Sequence, residues 1–82
     1  MISCSQYDYL EIACLYHFPI IVTLIDGGVI EGKALDTGYN DSRQECLLVE
    51  TTMGEKWLST EQLKSIEVTI SNPHFSFVEF TQ

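Results

Sequence analysis

The sequence predicts an α+β domain: an N-terminal helix packed on a small, strongly bent antiparallel β-barrel. Three observations carry this expectation. Residues 5–17 show helical apolar spacing, which stops at Pro19 because the residue before a proline avoids the α region. From Ile20 onward, short β-branched and aliphatic runs alternate with turn signals, the pattern of antiparallel strands. And a chain of 82 residues is too short to divide its core. Residues 1–82 are therefore expected to form a single domain, with the helix at about 5–17 and the barrel at about 19–80.

The helix opens on Ser5 as the expected N-cap, with Asp8 three residues on in a capping-box-like arrangement. Asp8 would then lie in the first turn, where the helix dipole favours a carboxylate. At about 100° per residue, Tyr7, Tyr9, Leu10, Ala13, Cys14 and His17 gather on one half of the wheel. That half is the expected core face. The other half carries Asp8, Glu11, Ile12, Leu15 and Tyr16, two carboxylates interleaved with apolar side chains.

The first strand is expected over Ile20–Ile25, with Asp26-Gly27-Gly28 as its hairpin turn. The second runs from Val29 to Thr37, with Gly32 inside it marking a sharp bend or a close backbone approach. A polar loop follows from Gly38 to Glu45. Strands at Cys46–Glu50 and Glu55–Leu58 flank a turn at Thr51–Gly54. Ser59–Gln62 has the look of one helical turn. Lys64–Ile70 forms a fifth strand, Asn72-Pro73 breaks it, and Phe75–Phe80 forms the last.

Charge narrows the function classes. Four Lys/Arg against twelve Asp/Glu give a formal charge of -8. That field repels nucleic acid and anionic membranes and attracts a basic partner. The longest apolar run, Phe18 to Leu24, is far too short to span a bilayer. The N-terminus, with Asp8 and Glu11 and no basic residue, does not read as a signal peptide. Cys4, Cys14 and Cys46 show no CxxC spacing, so reduced thiols and a cytoplasmic location are expected.

Catalytic constellations are thin. His17 and His74 have no partner at metal-ligand spacing. Cys14 reads as a small core residue, and no Lys or Arg falls within the first 32 residues to stabilise a thiolate. Nucleotide-binding glycine loops and the nucleophile elbow of serine hydrolases are absent from the sequence. Trp57 reads as core or half-buried packing, and the aromatic residues are not interleaved with cations as in single-strand binders. No enzyme activity, cofactor, metal or small-molecule substrate is expected.

Residues 22–40 read VTLIDGGVIEGKALDTGYN. Leu24, Asp26, Gly27, Gly32, Leu35, Asp36 and Asn40 match the first signature of the Sm/LSm fold, and the stretch resembles it. The physical logic agrees: Asp26-Gly27 closes a hairpin, Gly32 permits a bend, and Asp36 and Asn40 fix the next loop. The basic loop of RNA-binding members, I-R-G or K-R-G, is missing from the second half. An Sm-like RNA-binding module is therefore the alternative reading, opposed by the charge.

A second resemblance covers nearly the whole chain. Cys4-x-x-Tyr7-Asp8-x-Leu10-Glu11-x-Ala13-Cys14 ahead of an Sm-like half looks like the Rho-binding antiterminator family, Rof (also called YaeO). The sequence departs from the family at Ser5 and Gln6, where acids are common. The resemblance implies binding to the transcription-termination factor Rho at its N-terminal RNA-binding domain, with RNA excluded and termination inhibited.

Two groups of candidate partner-binding residues follow. The first is the helix set Tyr7, Asp8, Glu11, Ile12 and Leu15: Asp8 and Glu11 share one face, and flanking apolar residues give an interface a packed centre beside a steering charge. The second is the loop set Tyr39, Asn40, Asp41 and Arg43, which reads equally as an interface or as an ordinary surface loop.

Overall fold

The structure is a computed structural model and describes residues 2–80. Helix α1 (Cys4–Leu15) precedes β1 (Pro19–Leu24), β2 (Val29–Tyr39), β3 (Glu45–Thr51) and β4 (Gly54–Ser59). A 3-10 turn (Thr60–Gln62) leads into β5 (Leu63–Val68) and β6 (Phe77–Glu79). The strands form one six-stranded sheet in the order β4-β3-β2-β1-β5-β6, with every neighbouring pair antiparallel. The α+β class and the helix-then-sheet order stand. The barrel does not close: among the described residues β4 and β6 are sheet edges. Among the described residues the short β6 pairs with β5 alone, and no strand pairing joins the two edges.

Helix α1 starts earlier than the sequence reading placed it. Ser3, not Ser5, is the N-cap, and its hydroxyl accepts the Gln6 N–H at 3.2 Å. The Gln6 side chain accepts the Ser3 N–H in return at 3.2 Å, completing a capping box. Gln6 outcompetes Asp8 here, because its longer amide side chain reaches back to the cap. Asp8 consequently lies beyond the first turn, which holds no acid, and its dipole stabilisation falls away. The helix ends before His17, which adopts φ 50°, a left-handed conformation that turns the chain towards β1.

Its buried residues are Leu10, Ala13 and Cys14. Tyr7 and Ile12 are partly buried against the core, whereas Tyr9 and His17 are exposed. The inward face is thus rotated from the expected one: Ile12 turns in and Tyr9 turns out. Tyr9 meets the segment after β5 instead of the sheet. The Asn72 carboxamide oxygen accepts the His74 and Phe75 N–H groups at 2.8 and 3.2 Å, and its NH2 donates to the Phe75 carbonyl at 3.0 Å. This turn lifts Phe75 out of the expected last strand and sets its ring 5.0 Å from that of Tyr9.

Strand β2 carries the bend. Its first half pairs with β1 and its second with β3, and the register shifts between Ala34 and Asp36, a bulge that redirects the strand. A Cβ on Gly32 would stand only 2.3 Å from the Glu50 carbonyl oxygen and 2.6 Å from Val49 Cγ1, so the expected close approach is real. The strand extends two residues past Thr37, to Tyr39, shortening the loop to residues 40–44. Leu10, Ile20, Val22, Leu47, Val49 and Ile66 lie at the centre of the core.

Candidate functional site

The outer face of α1 is a continuous stripe. Cys4, Asp8, Glu11 and Leu15 recur at helical spacing and all are exposed, because Leu10, Ala13 and Cys14 face the sheet. Leu15 is 73% exposed, a large apolar side chain left mostly in water. No basic residue balances the two carboxylates in the helix.

This stripe borders β2. Glu11, Cys14 and Leu15 line a shallow depression with Leu35, Asp36 and Thr37. The Cys14 thiol at its floor is pushed up to about 12, first by burial and then by the fields of Asp36 and Glu11. A thiol so perturbed stays protonated at neutral pH and is a packing group, not a nucleophile. The Tyr7 phenol is also raised, chiefly by burial; a hydrogen bond with Thr37 opposes the rise, while Glu45, Glu11 and Tyr39 add to it. Tyr7, Glu11 and Tyr39, from helix and strand end, therefore share one electrostatic neighbourhood with Asp36 and Glu45. Sequence spacing did not bring out Asp36 and Glu45 as site neighbours; the antiparallel pairing Tyr39↔Glu45 and the bulge beside Asp36 put them there.

The loop is organised by Asn40. Its carboxamide oxygen accepts the Ser42 and Gln44 N–H groups at 2.9 and 3.0 Å, and its NH2 donates to the Gln44 side chain at 2.9 Å. Asn40 fixes this loop, as its place in the signature implied, and its polar atoms are engaged within it. Arg43, at φ 61°, borders one depression with Tyr39, Gln44, Glu45, Thr60 and Glu61. Asp41 lies on the other side of Tyr39, in a depression with Asn40, Cys46 and Trp57. Trp57 is 56% exposed, so of the two packing roles expected of it the half-buried one holds: its ring edge lies against Gly38 and the rest of the residue is open. The remaining candidates divide: Asp8 and Leu15 are on the exposed stripe, and Ile12 is half-buried beside the core.

Residues 1–80 match the model of a family described as modulator of Rho-dependent transcription termination (ROF). The chain belongs to the Rof family. It is 33% identical over 64 residues to Protein rof of Escherichia coli (strain K12), covering 78% of this chain and 75% of that protein. The same figures hold for Protein rof of Shigella flexneri. A solved structure, YaeO bound to magnesium from Vibrio cholerae O395, is 42% identical, with a TM-score of 0.87 over 93% of this chain and 99% of that one. Among the described residues of this Rof-family chain, no group of three or more His, Cys, Asp or Glu side chains could hold a metal ion. No helix among them is long and apolar enough to cross a membrane.

Proposed function

We propose that this protein binds Rho at its N-terminal RNA-binding domain, excludes RNA from it and so inhibits Rho-dependent termination. A surface that holds RNA is electropositive, and an acidic protein is drawn to the same field. Occupying that surface excludes RNA by both charge and volume. Family membership supports Rho as the partner. The observation that carries the choice of surface is the exposed stripe Asp8–Glu11–Leu15, which runs beside Asp36 without a cation in the helix. The carboxylates supply long-range attraction, and Leu15 supplies apolar area to bury once contact is made. Tyr7 and Ile12 support the helix from beneath the stripe, and Tyr39, Asp41 and Arg43 extend the surface along the loop.

The test is a binding isotherm of the whole protein with hexameric Rho, with its RNA site empty or filled by a pyrimidine-rich oligonucleotide. Competition between RNA and the protein is expected, along with weaker binding at higher salt. Undiminished binding to RNA-filled Rho would refute occlusion. A gel shift with the isolated protein and the same oligonucleotide tests the Sm-like RNA-binding alternative. No shift is expected at physiological salt, since four cations against twelve acids release few phosphate counterions.

A further inference from the structure

Trp57 lies at the centre of a feature that the helix surface does not use. It sits on the edge strand β4 opposite Leu48. Its ring atoms Cη2 and Cζ3 stand 3.2 and 3.3 Å from where a Cβ on Gly38 would be. Glycine at position 38 thus lets the indole edge settle on the β2 backbone, while more than half of the residue stays open. Beside it, Tyr39 is 71% exposed. These two aromatic residues and Asp41 line a depression of about 250 Å3 with Asn40 and Cys46. The Cys46 thiol, at 2% exposure, is buried, and the hydrogen bonds of Asn40 fix the loop that carries Asp41.

The charge in this depression is one-sided. Asp41 is the charged residue among those lining it. Arg43, the cation nearest Asp41 in sequence, borders the neighbouring depression, which shares Tyr39. Lys56 precedes Trp57 in β4, and successive strand residues point to opposite faces. Two aromatic side chains and a carboxylate, with no resident cation, are complementary to a positively charged side chain. The ring quadrupoles attract it and the carboxylate pairs with it. The same aromatic pair could stack a nucleobase, but Asp41 and the charge of -8 repel the phosphate that accompanies one.

We propose that Trp57, Tyr39 and Asp41 form a seat for a cationic side chain of the basic protein partner, adding a second contact point to the helix stripe. This rests on the reading of Rho as that partner and deepens it. Gly38 places the indole and Asn40 fixes the loop backbone, so part of the seat is in place before binding.

Trp57 is the single tryptophan of the chain, so biosynthetic labelling with 5-fluorotryptophan gives one fluorine resonance that reports on this site alone. Titration of the labelled protein with unlabelled Rho hexamer is expected to shift that resonance. Trp57→Ala is expected to weaken Rho binding by about tenfold, with Trp57→Phe retaining part of the affinity. Asp41→Asn is expected to weaken it several-fold and to flatten its salt dependence. Thermal midpoints of Trp57→Phe and Asp41→Asn, compared with the parent, separate binding from folding. If Rho binds the parent and the two well-folded variants equally and leaves the resonance unmoved, the seat is refuted while the Rho reading stands. If the parent does not bind Rho at all, that reading falls and the seat falls with it. A shift produced by pyrimidine-rich RNA alone, in the absence of Rho, would overturn the choice of a protein cation as occupant.

Discussion

The two flanks of α1 use similar residues to opposite ends. On one, Tyr16 stacks on Phe18 and His74 with ring centroids 5.4 and 4.7 Å apart, and Tyr9 meets Phe75 edge-on at 5.0 Å. On the other, Glu11 and Leu15 stand over the depression against Asp36 and Thr37. By exposure the flanks look alike, since Tyr16 is 52% and Leu15 73% exposed. They differ in what the exposed side chain already touches. Tyr16 and Tyr9 are engaged in a seam that ties the helix to residues 74–75, so their exposure is incomplete coverage. Leu15 lies outside that seam, in an acidic surround that internal packing does not explain. Exposure alone therefore does not separate a side chain already engaged in packing from one left open beside like charge.

The largest expected effect tests the acidic flank. Asp8→Lys combined with Glu11→Lys should lower Rho affinity on the order of 100-fold or more, because reversal replaces attraction with repulsion at two positions. The fold should survive, since both side chains are exposed and Asp8 lies outside the first helical turn. Isothermal titration with Rho and a thermal melt check the two halves. A doubly reversed protein that binds Rho like the parent would move the interface away from the helix.

The next effect belongs to the aromatic flank and should appear in stability. Phe75 is partly buried against the core and contacts both Tyr9 and Phe18. Phe75→Ala should cost about 2 kcal/mol, less than a fully buried phenylalanine. Denaturant unfolding measures this, and Rho affinity measured well below the melting temperature should change little. A large affinity loss in the still-folded variant would show that the seam positions the acidic flank.

Much of this contrast was legible in the sequence, and its unread portion has definite physical causes. The Asp26-Gly27 hairpin and the tight approach at Gly32 followed from residue type, because few other residues tolerate those geometries. The start of α1 did not, because Ser3 and Ser5 both offer caps and the Gln6 amide decides between them. The place of Tyr9 did not, because the Asn72 turn brings Phe75 to it, a contact between residues 66 positions apart that no local periodicity contains. Asp8, Glu11 and Leu15 were readable as an outward stripe from spacing alone. The placement of Asp36, Glu45 and Trp57 around the same end of the sheet required the strand register.

Within the acidic flank lies Cys14, whose effect should be smaller near neutral pH and grow in alkali. Its folded-state thiol is raised from 9.0 to about 12, with burial the first cause. Below pH 9 both folded and unfolded thiols hold their protons, and the group adds no pH dependence. Between about 9 and 12 the unfolded chain releases the proton while the folded one keeps it, so stability falls as pH rises. Cys14→Ala should remove that part of the alkaline loss, although the Tyr7 phenol, also raised by burial, retains its own. Melting temperatures of parent and variant from pH 7 to 11 check this, and parallel curves would contradict it.

Leu15 offers the smallest effect and the cleanest separation. Leu15→Gln keeps nearly the same helix propensity and removes an apolar group that the fold leaves mostly in water, so stability should change by no more than about 0.5 kcal/mol. Should Rho cover this position, the lost burial is worth roughly 1 kcal/mol, which corresponds to about a fivefold weaker affinity. The salt dependence should be unaltered, because no charge changes. Tyr16→Gln on the opposite flank should do the reverse. It removes the stacking on Phe18 and His74 and should lower the melting temperature while leaving Rho affinity in place. If both variants bind Rho like the parent, the exposed leucine has no part in the interface. If Tyr16→Gln weakens binding and Leu15→Gln does not, the two flanks have been assigned the wrong way round.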